Sequence, residues 1–130
     1  MIYSKTYRQV AGLLVLGLLL AIAGCRGAEE HPSKSGRYIV SAVFEEDNQG
    51  RWLRFQVRER AGKVLFVSPE RWAAPHNTEY AFDDADRVWL YSSDVGTSVW
   101  AHVDGDKWQK MKREEWQGLP EPASIKSAEP

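Results

Sequence analysis

The chain has 130 residues, of which 43% are hydrophobic and 12% aromatic, and its formal charge at pH 7 is −1. This balance lacks the basic excess of nucleic-acid-binding proteins, so we expect no nucleic-acid partner. The single cysteine, Cys25, excludes an internal disulfide.

The N-terminal 24 residues have the three parts of a secretory signal peptide. Lys5 and Arg8 precede an apolar run over residues 11–22, and no acidic residue occurs before Glu29. A basic start, a short apolar segment and a small-residue end are the anatomy of such a leader. A membrane-spanning helix needs ~20 apolar residues, and a surface helix would show a polar face. We therefore expect residues 1–24 to be cleaved off.

The end of the apolar run carries a more specific pattern. Ile22-Ala23-Gly24-Cys25 resembles the lipobox of bacterial lipoproteins, which is an aliphatic residue, a small residue, Gly or Ala, then Cys. The resemblance implies a diacylglycerol on the Cys25 sulfur, cleavage before Cys25, and acylation of the new amino group with a fatty acid such as palmitate. The alternative is an ordinary signal peptide followed by an unrelated cysteine.

Lipidation would also fix the location of the protein. Two or more acyl chains hold a protein stably on a membrane. Arg26 follows the cysteine, where enteric lipoproteins retained in the inner membrane have aspartate. This resemblance implies an anchor in the outer membrane of the bacterial envelope, with the protein facing the periplasm.

Composition divides the mature chain into three parts. Residues 26–36 are polar and contain Pro and Gly, so we expect a flexible tether. Residues 118–130 hold three prolines and few apolar groups, which predicts a disordered tail. Residues 37–117 remain as one small domain, and all six tryptophans lie in it. Loss of Lys5 and Arg8 with the leader lowers the formal charge by two, to −3.

The domain has the period-two apolar pattern of β-strands. Six short segments rich in β-branched and aromatic residues are separated by turn sequences: RYIVSAVFEE, WLRFQVRE, KVLFVS, RVWLYS, SVWAHV and the weaker KWQKMK. The predicted fold class is mainly β, a single antiparallel domain of about six strands, either a barrel or a sandwich. We also expect helical turns at SPERW and KREEWQ, while residues 73–80 fit no element clearly.

The sequence ERAGK predicts a particular hairpin. Glycine in its third loop position is typical of a type I turn closed by a G1 bulge, with Gly62 at positive φ. Glu59 would then pair with Lys63, and Val57 would lie opposite Leu65. The expected apolar face comprises Leu53, Phe55, Val57, Leu65 and Val67.

Residues 92–98 carry a partial motif. The pattern resembles the Asp-box hairpin that repeats in sialidases and other propellers, and it matches at Ser92, Asp94, Gly96 and Ser98. Val99, however, stands at the position where the Asp-box has an aromatic residue. The resemblance implies a hairpin in which Asp94 caps backbone amides. It does not imply sialidase activity, because residues 37–117 are too few for several four-stranded blades.

The spacing of the polar residues does not match that of a catalytic, metal or cofactor site, so we expect none of these. The acidic run at Asp83, Asp84 and Asp86 lacks calcium-loop spacing and is interpreted as a solvated turn. The histidines lack metal-ligand spacing. Ser92 or Ser93 with His102 is the only nucleophile arrangement available, and no nucleophile-elbow sequence supports it.

Four residues form the candidate binding site. Alternation on the two strands predicts Trp89, Tyr91 and Trp100 as neighbours on one surface, with His102 beside them. If a second layer covers that surface, the rings are core, which is the outcome we expect. If it is open, it is a binding surface, since aromatic residues suit protein hot spots.

These observations predict a lipid-anchored envelope protein with a non-catalytic binding or scaffolding domain and an unidentified protein or glycan partner. The alternatives are a small-ligand or glycan binder that uses the aromatic surface, an inhibitor of an envelope enzyme, and, least favoured, an enzyme.

Overall fold

The computed structural model describes residues 29–74, 76–104 and 106–130. The predicted leader, the lipobox with Cys25 and residues 26–28 of the predicted tether lie outside the described residues. Among the residues that are described, no helix is long and apolar enough to cross a membrane.

The described strands confirm the predicted mainly β fold and form two antiparallel sheets. The strands of the first sheet are β1 Glu30–Pro32, β2 Tyr38–Asp47, β3 Gly50–Glu59, β4 Val64–Val67 and β5 Trp72–Ala73. They lie in the order β1-β2-β3-β4, and β5 pairs with β3 beside β4. The second sheet is a meander of β6 Thr78–Phe82, β7 Val88–Ser92, β8 Gly96–His102 and β9 Trp108–Lys110. Of the two predicted architectures, the sandwich is the one observed.

The space between the sheets is the main hydrophobic core. Alternation along β2 and β3 turns Val40, Phe55 and Val57 inward, and all three are fully buried. The ring of Phe55 lies 4.7 Å from that of Trp100, centroid to centroid, which joins the two sheets at the centre. The other buried members are Tyr38, Ala42, Leu53, Trp72, Tyr80, Val88, Leu90 and Trp108. Large aromatic rings therefore supply much of the apolar area that this small domain buries.

Residues 118–130 were predicted to be a disordered tail, and this prediction is wrong, because they pack on the fold together with residues 113–117 as one C-terminal segment. Two short helices, α1 Arg113–Trp116 and α2 Ala123–Ala128, cover the outer face of the second sheet. Ile125 is fully buried there, packed in one cluster with Trp89 and Val99. Apolar residues are few in this segment, but they are spaced so that they reach the same sheet face. The predicted helical turn in KREEWQ is confirmed by α1.

The predicted flexible tether is ordered from Glu29 onward. β1 pairs antiparallel with β2, so that Glu30 lies opposite Ser41. The hydroxyl of Tyr80 donates a 2.7 Å hydrogen bond to the carbonyl oxygen of Glu29, and the ring of His31 lies 5.1 Å from that of Tyr80. These partners come from distant parts of the chain, and the composition of residues 26–36 gives no sign of them.

The β3–β4 hairpin has the predicted three-residue loop, but its strand register differs from the predicted one. Gly62 has φ 113°, and the N–H of Glu59 donates to the carbonyl oxygen of Lys63 at 2.8 Å. Val57, however, lies opposite Phe66 rather than Leu65, because the pairing shifts between Val57 and Arg58. The shift is a bulge that inserts one residue into β4. Val67 is consequently 42% exposed, whereas Leu65 and Phe66 both pack on the core.

The predicted helical turn at SPERW is replaced by a bend. Buried Ser68 accepts a hydrogen bond from the N–H of Phe55 at 3.1 Å and donates to the carbonyl oxygen of Glu70 at 2.9 Å. The guanidinium of Arg54 also binds the carbonyl oxygens of Ser68 and Pro69. These contacts direct the chain into β5, which the sequence did not predict.

Candidate binding sites

The predicted aromatic surface does not form. The β7–β8 hairpin has a three-residue turn that pairs Ser92 with Gly96, and this register places Trp100 opposite Val88 and Trp89 opposite Val99. Trp100 therefore faces the sandwich core, while Trp89 and Tyr91 face the C-terminal helices. A one-residue change of register moves a side chain to the other face of a sheet, and this is where the sequence-based assignment was wrong.

All three rings are nevertheless buried, which is the outcome that we expected. Trp89 is 0% exposed, Trp100 2% and Tyr91 8%. Trp89 packs edge-on against the ring of Trp116 on α1, with centroids 5.7 Å apart. Each face of the second sheet is thus covered, one by the first sheet and the other by the C-terminal segment. None of these three rings presents an open face to a partner.

Of the four residues of the predicted binding site, all of which the structure describes, His102 is the one at the surface. It lies at the end of β8, with its ring 5.9 Å from that of Tyr38 and 5.4 Å from that of Trp108. Two clefts of about 390 and 340 Å³ share His102, Tyr38 and Arg37 in their walls. The guanidinium of Arg37 lies over the Tyr38 ring, 5.4 Å from its centroid. His102 therefore shares a sheet face with Trp100, two residues earlier on β8, whereas Trp89 and Tyr91 lie on the opposite face.

A larger cleft, about 620 Å³ in volume, lies between the β7–β8 hairpin and the C-terminal segment. Buried Trp89 and Tyr91 line its interior, and Trp116 lines it from α1. The hydroxyl of Thr97 donates a 2.6 Å hydrogen bond to Oε1 of Glu129, so the two sides of the cleft are joined. Its volume is within the ~300–1,000 Å³ range of small-molecule sites. The sequence did not predict this cleft because it depends on the C-terminal helices.

Asp83, which we expected to lie in a solvated turn, is a buried carboxylate. It is 7% exposed and accepts hydrogen bonds from the indole N–H of Trp89, the guanidinium of Arg87 and the backbone N–H groups of Ala85 and Arg87. Burial acts to raise the pKa of the Asp83 carboxyl, but these donors outweigh it and hold the pKa below its ordinary value. The sequence held one sign of the Trp89–Asp83 hydrogen bond. Trp89 follows by six residues an aspartate that lies in a tight turn.

The rest of this acidic turn connects the two sheets. Asp86 has φ 58°, and its Oδ2 accepts a 2.6 Å hydrogen bond from the hydroxyl of Ser35. Lys34 lies 3.2 Å from Asp84. Within residues 29–74, 76–104 and 106–130, no group of three or more His, Cys, Asp or Glu side chains is placed to hold a metal ion. The three aspartates thus have structural partners.

The motif at residues 92–98 forms the predicted hairpin, with a different closing bond. The N–H of Asp94 donates to the hydroxyl of Ser92 at 3.3 Å, and Gly96 adopts φ 82°. Ser92 is fully buried and lies at the opposite end of the hairpin from His102. The six residue-to-residue steps from Gly96 to His102 span about 20 Å in a strand, so Ser92 and His102 do not form a hydrogen-bonded pair.

Comparison of the chain with protein-family models, with curated proteins and with solved structures finds no match in any of the three. The geometry described above is therefore the basis for a functional proposal. It offers clefts with polar rims and aromatic walls, which suit binding.

Proposed function

We propose that the protein is a bacterial lipoprotein, anchored through Cys25 in the outer membrane, whose β-sandwich is a non-catalytic binding module of the periplasm. The observation that carries the proposal is the position of the lipobox relative to the fold. Ile22-Ala23-Gly24-Cys25 ends four residues before Glu29, and the first strand begins at Glu30. A leader, an acylated cysteine and a folded domain thus follow one another directly along the chain.

The binding role is supported by the surface of the domain. The three clefts described above carry charged or polar groups at their rims, namely Arg37, His102, Arg113 and Glu129. The partner expected in this compartment is a protein or a glycan of the envelope.

Acylation is tested by metabolic labelling with an alkyne analogue of palmitate. The wild-type protein should be labelled and recovered with the outer membrane, whereas Cys25→Ser should be unlabelled. Ala23→Ser is a matched control, because it keeps a small residue in the lipobox and should be labelled as the wild type is. Equal labelling of wild type and Cys25→Ser would contradict the proposal.

The cleft beside the β7–β8 hairpin supports a second candidate function, the binding of a small saccharide. Its walls combine the half-buried ring of Trp116 with the polar side chains of Arg113, Gln117 and Glu121. An apolar surface with a few polar groups is typical of small-ligand sites. Saturation-transfer NMR with disaccharide fragments of peptidoglycan should give signals that Arg113→Ala abolishes and that exposed Lys112→Ala leaves unchanged. Signals that do not depend on Arg113 would exclude this cleft.

A further inference from the structure

We infer that the β2–β3 tip, defined as residues 47–50 with Phe44 and Arg51, lies against the membrane surface, and that the turn at residues 83–86 points away from it. This inference rests on the proposed acylation of Cys25. Beyond that anchor, we assign an orientation to the domain, and we assign the lipid headgroup layer as the occupant of one of its surfaces.

The chain that connects the anchor to the fold is short. Only residues 26–28 separate Cys25 from Glu29, whose carbonyl oxygen is already bonded to Tyr80. An extended chain advances at most ~3.6 Å per residue, so the Cα atoms of Cys25 and Glu29 lie within about 14 Å of each other. An anchor in the headgroup layer therefore holds the sandwich at the membrane and does not let it swing on a long tether.

The chain leaves the fold in the direction of the β2–β3 tip. β1 is antiparallel to β2, with Pro32 opposite Ile39 and Glu30 opposite Ser41. Followed backward from Pro32 to Glu30, β1 therefore runs toward the β2–β3 tip. The turn at residues 83–86 lies at the other end of β2, where Asp86 bonds to Ser35. β2 has ten residues, and its nine residue-to-residue steps separate these ends by about 30 Å.

The side chains of the tip suit contact with a lipid surface. Phe44 lies in the inward row of β2, yet it is 51% exposed, whereas Leu53 opposite it is buried. The guanidinium of Arg51 lies 5.6 Å from the Phe44 ring centroid. An exposed aromatic ring beside a cation suits the boundary between headgroups and acyl chains.

The charges at the tip also permit close approach to a bilayer. Arg71 pairs with Asp47 at 2.9 Å, and Arg54 pairs with Glu45 at 2.7 Å. The indole N–H of Trp52 donates to Asp47, and this bond, with the N–H of Gln49, holds the pKa of Asp47 below its ordinary value. The carboxylates nearest the tip are thus matched by cations. Glu46 and Arg51, the remaining charges, lie opposite each other on the two strands.

The orientation is tested with single fluorescent labels on the lipidated protein. Acylation blocks the sulfur of Cys25, so a cysteine introduced by Gln49→Cys or Ala85→Cys is the only reactive thiol. Both positions are exposed. Each labelled protein is reconstituted into vesicles of phosphatidylethanolamine and phosphatidylglycerol that contain a lipid with a nitroxide on its headgroup.

The expected result is strong loss of fluorescence at position 49 and little loss at position 85. Adding Phe44→Ser should reduce the loss at position 49 without affecting acylation. Equal quenching at both positions, or stronger quenching at position 85, would overturn the orientation while leaving the lipid anchor intact. An unacylated protein would carry a second reactive thiol. Labelling of Cys25 itself therefore distinguishes failure of the anchor from failure of the orientation.

Discussion

The indole nitrogen of Trp89 lies 2.9 Å from Oδ2 of Asp83, and both side chains are buried. This bond joins the turn before β7 to the ring at the centre of the second hydrophobic cluster. Arg87 shares the same carboxylate oxygen at 2.6 Å, so one anion satisfies a charged donor and a buried neutral donor.

Asp83→Asn should lower the free energy of unfolding by about 2 kcal/mol, because hydrogen bonds to a charged group are stronger than those to a neutral one. Chemical denaturation at pH 7 measures the loss. Asp84→Asn is the matched control, since Asp84 is exposed and should change stability by less than about 0.5 kcal/mol. Equal effects of the two substitutions would contradict a structural role for Asp83.

The same carboxylate predicts a dependence on pH. Its pKa is lower in the folded than in the unfolded state, so its contribution is complete above its ordinary pKa of 3.8 and is lost as pH falls through the folded pKa. The stability difference between wild type and Asp83→Asn should therefore be largest near neutral pH and shrink below about pH 4. A stability difference that grows on acidification would contradict a lowered pKa for Asp83 in the folded state.

Trp89→Ala and Trp100→Ala should each lower the free energy of unfolding by about 3–5 kcal/mol, because each removes a fully buried ring from one of the two hydrophobic clusters. Total stability of a small domain is often only ~5–15 kcal/mol, so thermal melts should show large decreases. Trp52→Ala, which changes a partly exposed ring on the outer face of the first sheet, should cost less. Melting temperatures unchanged in both core variants would show that these rings do not stabilise the fold.

Much of the fold could be predicted from the sequence where strands are long and alternate. β2, β3, β7 and β8 follow from period-two patterns, and the positive φ of Gly62 follows from its loop position. β1, β5 and β6 have two to five residues each and depend on pairing with distant partners. A pattern that short does not distinguish a strand from a loop.

The candidate site was harder to predict, for reasons of register and composition. Either register of the β7–β8 hairpin buries aromatic rings, so the alternation alone could not assign the face of Trp100. The cleft beside Thr97 requires helices in a segment whose prolines and few apolar residues resemble those of disordered tails. One buried residue, Ile125, anchors the second helix, and a single apolar residue gives no periodic signal.

Ile125→Ala should therefore destabilise the domain by about 3 kcal/mol, since it leaves a cavity under the second helix. Lys126→Ala, at an exposed neighbouring position, is the control and should have little effect. Denaturant unfolding followed by tryptophan fluorescence measures both. If the two variants were equally stable, the C-terminal segment would not be part of the folded domain.

Gly62→Ala should cost about 1 kcal/mol, because a Cβ disfavours the positive φ of this position. An added Cβ meets no atom within 4 Å, so the cost comes from the backbone conformation and not from a clash. Ala61→Ser, in the same exposed loop, should leave the thermal melt unchanged. A Gly62→Ala variant as stable as the wild type would contradict the assigned turn.

The central claim is that a lipid on Cys25 holds this sandwich at the membrane. Mass spectrometry of the N-terminal peptide from the membrane-extracted mature protein tests it most directly. The predicted result is a peptide that begins at Cys25 and carries the mass of a diacylglycerol thioether with an acylated amino group. A peptide that begins at another residue, or that contains Cys25 as a free thiol, would contradict the account.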